Sequence, residues 1–259
     1  MSQYKIAFFD VDGTLSDMAT RIVSDITIET LKRLQENNIR ICIATGRQPS
    51  KVPQFEGVTF DAILSFNGSY CFDKDGNVLY SHPIPHKDVR KIIENATAIN
   101  RPVAIASKDE TIANGTDEDL TDYFAFSKQK PNISLRFNSF MKEDIYQVMC
   151  GGYKEEYDAL IEGVEGAEIT AWWDRAVDII PKGGGKGTGI REILKYYHLT
   201  PEEAIAFGDG TNDIEMLKAV GTGIAMGNAT DNVKEIADDI CLSVSQDGVY
   251  HYCLDHKLI

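Results

Sequence analysis

Cysteine, long apolar runs and positive charge are all in short supply in this sequence, and each shortage excludes something. The five cysteines (Cys42, Cys71, Cys150, Cys241 and Cys253) are odd in number and scattered, with no CxxC pair. That spacing speaks against a disulfide framework or a zinc site, and for small apolar fillers in a reducing cytoplasm. Nowhere does the chain approach the roughly 18 consecutive apolar residues of a membrane helix. Met1-Ser2-Gln3-Tyr4-Lys5 runs straight into a strand-like segment and has no signal-peptide design, so a cytoplasmic protein is expected. Lys and Arg number 26 against 40 Asp and Glu, a formal charge of −14. Such a field repels nucleic acid and anionic membrane at long range, so neither is expected as a partner. Any phosphate handled here must be captured locally, by a metal or a small cationic pocket. The five histidines (His82, His86, His198, His251 and His256) show no ligand spacing and receive no role.

What is present is ordinary globular material: 259 residues, 43% apolar and 25% charged, enough for one large domain or two modest ones. Three apolar runs without polar alternation, Ile6 to Phe9, Ile39 to Ala44 and Ala62 to Phe66, suit strands buried on both faces of a parallel sheet. Between the first two, Ile28, Leu31 and Leu34 recur at helical spacing after Thr27, a candidate N-cap, and Asn37-Asn38 suits a left-handed stop. The last third repeats the theme: strand at Ala204 to Phe207, helix at Asp213 to Ala219, strand at Gly223 to Met226, helix at Thr230 to Ala237, and a short strand at Ile240 to Val244. Together these predict an α/β fold, a doubly wound, Rossmann-like parallel-sheet core.

The middle reads differently. Tyr70 to Tyr80 is patterned as a hairpin around Asp75-Gly76, and Lys87 to Ile99 as a helix. Short strand and helix patterns then alternate to about Pro181, and residues 83–181 carry 11 basic and 18 acidic residues. We expect an inserted α+β domain over 83–181, with 1–82 and 182–259 forming the core; prolines and Gly183-Gly184-Gly185 mark the junctions. Its aromatic residues (Tyr123, Phe124, Phe126, Trp172 and Trp173) are read as packing. Trp172 and Trp173, adjacent on a strand, would face opposite ways. Glu110, Asp117, Glu118 and Asp119 are read as a solvated acidic face.

Asp10-Val11-Asp12-Gly13-Thr14 follows the first strand, and Gly208-Asp209-Gly210-Thr211-Asn212-Asp213 follows the Ala204 strand. In a doubly wound sheet, ligands bind at the carboxyl ends of strands. A strand places i and i+2 on one side, so Asp10 and Asp12 would converge, and their repulsion calls for a cation. An all-oxygen carboxylate set suits a hard ion, Mg²⁺ above all. Thr45-Gly46-Arg47 closes the second strand with a hydroxyl and backbone N–H groups suited to a phosphate oxygen. Lys186 follows the glycine run near the start of a helix to about His198, where it could neutralise phosphate. Lys186 is followed by Gly187 instead of Ser or Thr, so the run is not a Walker A loop.

Taken in order, these four motifs resemble those of the haloacid dehalogenase superfamily, and most closely its Cof-type (IIB) sugar-phosphate phosphatases. The resemblance spans essentially the whole chain, including Phe66-Asn67-Gly68 and Met226-Gly227-Asn228-Ala229. Only 35 positions separate Asp10 from Thr45, whereas 141 separate Thr45 from Lys186, which places the insertion where the C2-capped branch carries its cap. The resemblance implies Asp10 as the nucleophile that becomes an aspartyl-phosphate, and Asp12 as general acid and base. It implies Mg²⁺ held by Asp10, the backbone carbonyl of Asp12 and Asp209, with Asp213 in support, and phosphoryl oxygens held by Thr45, Gly46, Lys186 and Asn212. Arg47 and Asn67 are candidate substrate contacts. The expected partner is a small phosphorylated metabolite, with a monomer as the default state. A phosphomutase of the same superfamily is the alternative enzyme. A receiver-like phospho-acceptor module is the non-enzymatic one, disfavoured because the DxD motif closes strand one.

Overall fold

The computed structural model describes residues 3–126 and 128–259, with the side chains of all but residues 171–173. The chain divides into two compact units, one running to Arg47 and taking in Lys51–Ser81 and Gly184–Ile259, the other comprising Gln48–Ser50 and His82–Gly183.

The first unit opens with β1 (Ile6–Phe9), α1 (Asp25–Glu36), β2 (Arg40–Ala44), β3 (Ala62–Ser65), β4 (Tyr70–Asp73) and β5 (Val78–Ser81). The second unit then supplies α2 (His86–Ala98), β6 (Val103–Ala106), β7 (Thr111–Ala113), α3 (Glu118–Ala125), α4 (Phe137–Phe140), β8 (Gln147–Gly151), α5 (Tyr157–Leu160), β9 (Ala167–Trp173) and β10 (Ala176–Pro181). The first resumes with α6 (Lys186–Tyr196), β11 (Ala204–Gly208), α7 (Ile214–Leu217), β12 (Thr222–Ala225), α8 (Asp231–Lys234), β13 (Asp239–Ile240) and α9 (Gly248–Asp255).

Sheet order in the first unit is β13-β12-β11-β1-β2-β3-β4-β5. The run from β13 to β3 is parallel, and the hairpin β4-β5 closes it antiparallel. Alternate residues of β1 explain why its pattern is continuously apolar. Ile6 and Phe8 pack with α6 residues Ile190, Ile193 and Leu194, while Ala7 and Phe9 pack with Leu31 and Leu34 of α1 and Val249 of α9. The chain leaves β1 towards β2 and returns, after the second unit, to β11 on the other side of β1. That reversal makes the carboxyl ends of β1 and β11 the topological switch point, where an open α/β sheet binds its ligand.

Several boundaries move from their sequence expectation for local reasons. Helix α1 begins a turn earlier, because Ser24 and not Thr27 is its N-cap: Ser24 Oγ accepts from Thr27 N at 3.1 Å, and Asp25 sits in the first turn where the helix dipole favours an acid. Asn38 is left-handed as expected, with φ 61°. The helix expected from Asp213 is a 3-10 turn (Thr211–Asp213) followed by the short α7, and the last strand is Asp239–Ile240 rather than 240–244. All five cysteines are free. No helix among the described residues is long and apolar enough to cross a membrane.

The second unit is a five-stranded antiparallel sheet, β7-β6-β8-β10-β9. Val103, Ile105, Val148, Cys150, Val177 and Ile179 pack with Val89, Ile92 and Ala96 of α2 and with Leu160 of α5. His82, Lys182 and Gly183 fall in this unit rather than the first, and His82 Nε2 lies 3.1 Å from Lys182 O. Gln48–Ser50 join it as well: the buried Gln48 amide donates to Ser107 O at 3.2 Å and accepts from Thr111 Oγ1 at 3.0 Å. The expected solvated acidic face is in part an ion-pair network, since Arg101 bonds Asp117, Asp119 and Glu156, and Glu110 pairs with Arg136. Phe124 is buried and Phe126 exposed, and Tyr123 Oη donates to the buried Asp178 at 2.6 Å. Residues Trp172 and Trp173 are strand, and the orientation expected for their side chains lies outside the described ones.

Asn95, buried on α2, donates through Nδ2 to Leu160 O at 3.0 Å and Glu162 O at 2.9 Å, closing the end of α5. Asn95→Ala should take this donor from both carbonyls and leave the buried Leu160 O unsatisfied, lowering the urea-unfolding free energy by about 2 kcal/mol.

Candidate active site

The site grows from the ends of three adjacent parallel strands. Asp10 follows β1 and donates its backbone N–H to Phe207 O of β11 at 3.0 Å, so the chain is still in register when the carboxylate appears. Thr45 follows β2 and Asp209 follows β11. Carboxylate oxygens of Asp10, Asp209 and Asp213 all lie within 4.8 Å of one another. Gly13, at φ +100°, passes so close to Asp209 that a Cβ there would collide with its carboxylate, so only glycine fits.

Lys186 is the counter-charge. It stands at the first turn of α6, is 0% exposed, and its Nζ donates to Asp10 Oδ1 at 2.5 Å and Asp213 Oδ1 at 2.6 Å. Asp213, also 0% exposed, uses Oδ2 to accept from the N–H groups of Asp209 and Gly210, each at 2.9 Å. The Gly208–Asp213 loop is thus folded around its own last carboxylate.

Asp12 does not join this cluster. Strand β1 ends at Phe9, and Leu15 N and Ser16 N both close onto Val11 O in a tight turn, so strand alternation no longer applies at Asp12. Its carboxylate instead takes a two-pronged grip from Arg47, Nη2 to Oδ1 at 2.6 Å and Nε to Oδ2 at 2.8 Å, a pair about one-third exposed on each side. That hydrogen bonding holds the Arg47 guanidinium above its ordinary range. Arg47, expected to face substrate, is occupied by Asp12.

Thr45 is buried, and its Oγ1 accepts from Arg47 N at 3.2 Å. Asn67 lies beside Gly46, and Asn212 Nδ2 donates to Asn67 Oδ1 at 3.1 Å. The structure therefore brings Asp10, Thr45, Gly46, Asn67, Lys186, Asp209, Asn212 and Asp213 to one end of one sheet. Two further residues were not assigned a role from sequence. Thr14 Oγ1 donates to Asp209 Oδ1 at 3.1 Å, and Asn228 Nδ2 donates to Asp209 Oδ2 at 3.3 Å and to Gly13 O at 2.9 Å. Both orient Asp209. Their signal is their sequence context, Thr14 closing Asp10-Val11-Asp12-Gly13-Thr14 and Asn228 following β12 in Met226-Gly227-Asn228-Ala229.

Burial pushes the Asp10 carboxyl up to about 8, against the attraction of Lys186 and with the repulsion of Asp213. Burial, then Asp213, raises Asp209 to about 6, against the Thr14 hydrogen bond. Burial opposes the charge on Lys186, but Asp10 and Asp213 outweigh it and hold the ammonium above the ordinary lysine range. Three carboxylates and one ammonium leave two negative charges uncompensated. A divalent cation on an all-oxygen set fits that deficit.

The chain as a whole is similar to known proteins. Residues 7–253 match the model of the family described as haloacid dehalogenase-like hydrolase. A putative phosphatase of Bacillus subtilis (strain 168), YkrA, is 31% identical over 95% of each chain. The structure of BT1666 from Bacteroides thetaiotaomicron, described among the phosphatases of that superfamily, superposes with a TM-score of 0.92 at 31% identity, over 99% of this chain and 96% of that one. A subclass IIB sugar phosphatase, BT4131, superposes at 0.86 with 28% identity, over 98% and 100%.

The raised carboxyls set a sign for stability. A carboxyl with a raised value keeps, in the folded protein, a proton that the unfolded chain has already released. Folding of the metal-free protein should therefore weaken as pH rises from about 4 to about 8, the window between the ordinary aspartate value and that of Asp10. Thermal melts in EDTA should show a lower midpoint at pH 8 than at pH 5. A divalent cation at about 100-fold over its dissociation constant should add about 2.7 kcal/mol, with the larger gain at the higher pH.

Proposed function

The chain belongs to the haloacid dehalogenase-like hydrolase family, and from that premise we propose that it is a Mg²⁺-dependent phosphatase hydrolysing small phosphorylated metabolites, sugar phosphates foremost, through an aspartyl-phosphate on Asp10. It is a Cof-type, subclass IIB-like phosphoric monoester hydrolase. The observation that carries the finer reading is the fully buried Lys186 held between Asp10 and Asp213. A buried ammonium fixes Asp10 in orientation and supplies charge to a phosphoryl group without solvent screening.

In the proposed reaction one Asp10 oxygen attacks phosphorus in line, forming the Asp10–phosphorus bond as the bond to the leaving alcohol oxygen breaks. Thr45 Oγ1, the Gly46 N–H, Lys186 and the Asn212 amide hold the phosphoryl oxygens. Asp12 gives a proton to the departing oxygen, then takes one from the water that attacks phosphorus, releasing inorganic phosphate and restoring Asp10. Arg47 must loosen its grip for Asp12 to perform that transfer. The ion would be held by Asp10, the Asp12 backbone carbonyl and Asp209, with Asp213 behind; when bound, it supplies Lewis-acid charge to the phosphoryl group. Thr14 and Asn228 keep Asp209 turned towards it.

Steady-state hydrolysis of p-nitrophenyl phosphate with Mg²⁺ tests the assignment. Asp10→Asn should abolish both turnover and acid-stable labelling of the protein by ³²P substrate. Asp12→Asn should keep metal and phosphate affinity while kcat falls by about 100-fold or more. EDTA should stop wild-type turnover. Undiminished turnover by Asp10→Asn would remove the proposed nucleophile. A panel of phosphorylated metabolites ranked by kcat/KM then identifies the substrate.

A further inference from the structure

A short turn after β3 that contributes no reacting group touches three of the four catalytic loops. Phe66, Asn67 and Gly68 have φ of 49°, 53° and 87°, three left-handed residues in succession of which only the last is glycine. An aromatic residue in that region persists only where its surroundings over-determine it. Here the surroundings are the site itself. Phe66 N donates to Arg47 O at 3.1 Å and Asn67 N to Thr45 O at 2.9 Å, which ties the turn to the Thr45-Gly46-Arg47 loop. Gly68 lies against the start of α6, where a Cβ would stand 2.8 Å from Gly185 O and 3.2 Å from Lys186 Cα. A Cβ on Gly189, one turn along α6, would meet Gly68 Cα at 2.9 Å.

The third tie is a side chain. Asn67 Oδ1 accepts from Asn212 Nδ2 at 3.1 Å, and the same oxygen would be 3.3 Å from a Cβ on Gly46. Bracketing the turn, Ser65 and Ser69 are 0% exposed, and their hydroxyl oxygens have no hydrogen-bond partner among the described residues. Left-handed backbone and orphaned hydroxyls both oppose folding, so packing alone does not account for this turn.

We propose that Asn67 is a positioning residue for the phosphoryl group, not a substrate contact: its amide oxygen fixes the Asn212 side chain against the Gly46 loop, and its left-handed backbone fixes that loop against Lys186. By engaging one N–H of the Asn212 amide it orients the other for a phosphoryl oxygen. This rests on the phosphatase reading above, because Asn212 matters only if phosphate is bound there.

The test uses inorganic phosphate with Mg²⁺, titrated calorimetrically, beside p-nitrophenyl phosphate kinetics. The proteins are wild type, Asn67→Gly, Asn212→Ala and the double variant. Glycine adopts the left-handed conformation freely, so Asn67→Gly deletes the amide without adding strain, and its melting temperature should stay within a few degrees of wild type. It should weaken phosphate binding and raise KM by about tenfold, with kcat changed less than about threefold. Because the effect passes through Asn212, the double variant should bind phosphate no more weakly than Asn212→Ala alone. Unchanged phosphate affinity in Asn67→Gly, or penalties that add in the double variant, would overturn the role of Asn67 and leave the phosphatase standing. A wild-type protein that neither binds phosphate nor turns over the ester would overturn the phosphatase reading, and this one with it.

Discussion

An ammonium group with no exposed surface is the constraint around which this site is built. Desolvating Lys186 is costly, and its two short bonds, to Asp10 and Asp213, are what make its burial tolerable. The dependence runs the other way as well. Without Lys186, three carboxylates would share one end of the sheet with nothing between them. With it, two negative charges still lack partners, and burial first, then the repulsion of Asp213, raises Asp10 to about 8 and Asp209 to about 6. In the proposed function a divalent cation would balance those two charges.

The topology explains why these groups can meet at all. Asp10 and Asp209 are nearly 200 positions apart, but β1 and β11 are hydrogen-bonded neighbours in parallel register, Phe9 opposite Phe207. The two rings stack at 5.2 Å with their planes 6° apart, at the strand ends that lead into Asp10 and Asp209. A register slip of one residue would turn one of these aromatics to the wrong face and carry its aspartate with it. The apolar layers on both faces of the sheet therefore set the distance between acids that repel each other.

How much of this was legible depended on whether the deciding interaction was local. Strand β1 could be read because both of its faces are buried, which leaves a plain apolar run. That acidic clusters follow two strand ends was legible in the residues, whereas the pairing of Asp10 with Asp209 came from the family resemblance. Lys186 was legible as a cation for phosphate, but its burial was not, since nothing adjacent to it in sequence records the two aspartates that bury it. Asp12 was placed by strand alternation, and that failed where the chain turned one residue after Asp10. The α1 cap was missed because apolar spacing marks where a helix packs, not where its first N–H finds an acceptor, and Ser24 lies before the packed stretch. Asn67 was noticed as a neighbour of the motifs, but its left-handed backbone is imposed by the Thr45 and Arg47 carbonyls and has no signature of its own, unlike the glycine that follows it.

The two ion pairs of the site differ in a way that suits different tasks. Lys186 and Asp10 are out of solvent, so separating them would strand a charge in a low-dielectric interior, and the pair is fixed. Arg47 and Asp12 have about a third of their side chains in water, so each keeps a hydration path and the pair can open at small cost. A group that must orient a nucleophile benefits from permanence, and one that must hand over a proton and take it back benefits from release. In the proposed reaction Asp10 holds the phosphoryl group while Asp12 serves the oxygen that leaves and the water that follows. The burial of one pair and the partial exposure of the other divide those tasks between two aspartates only two residues apart.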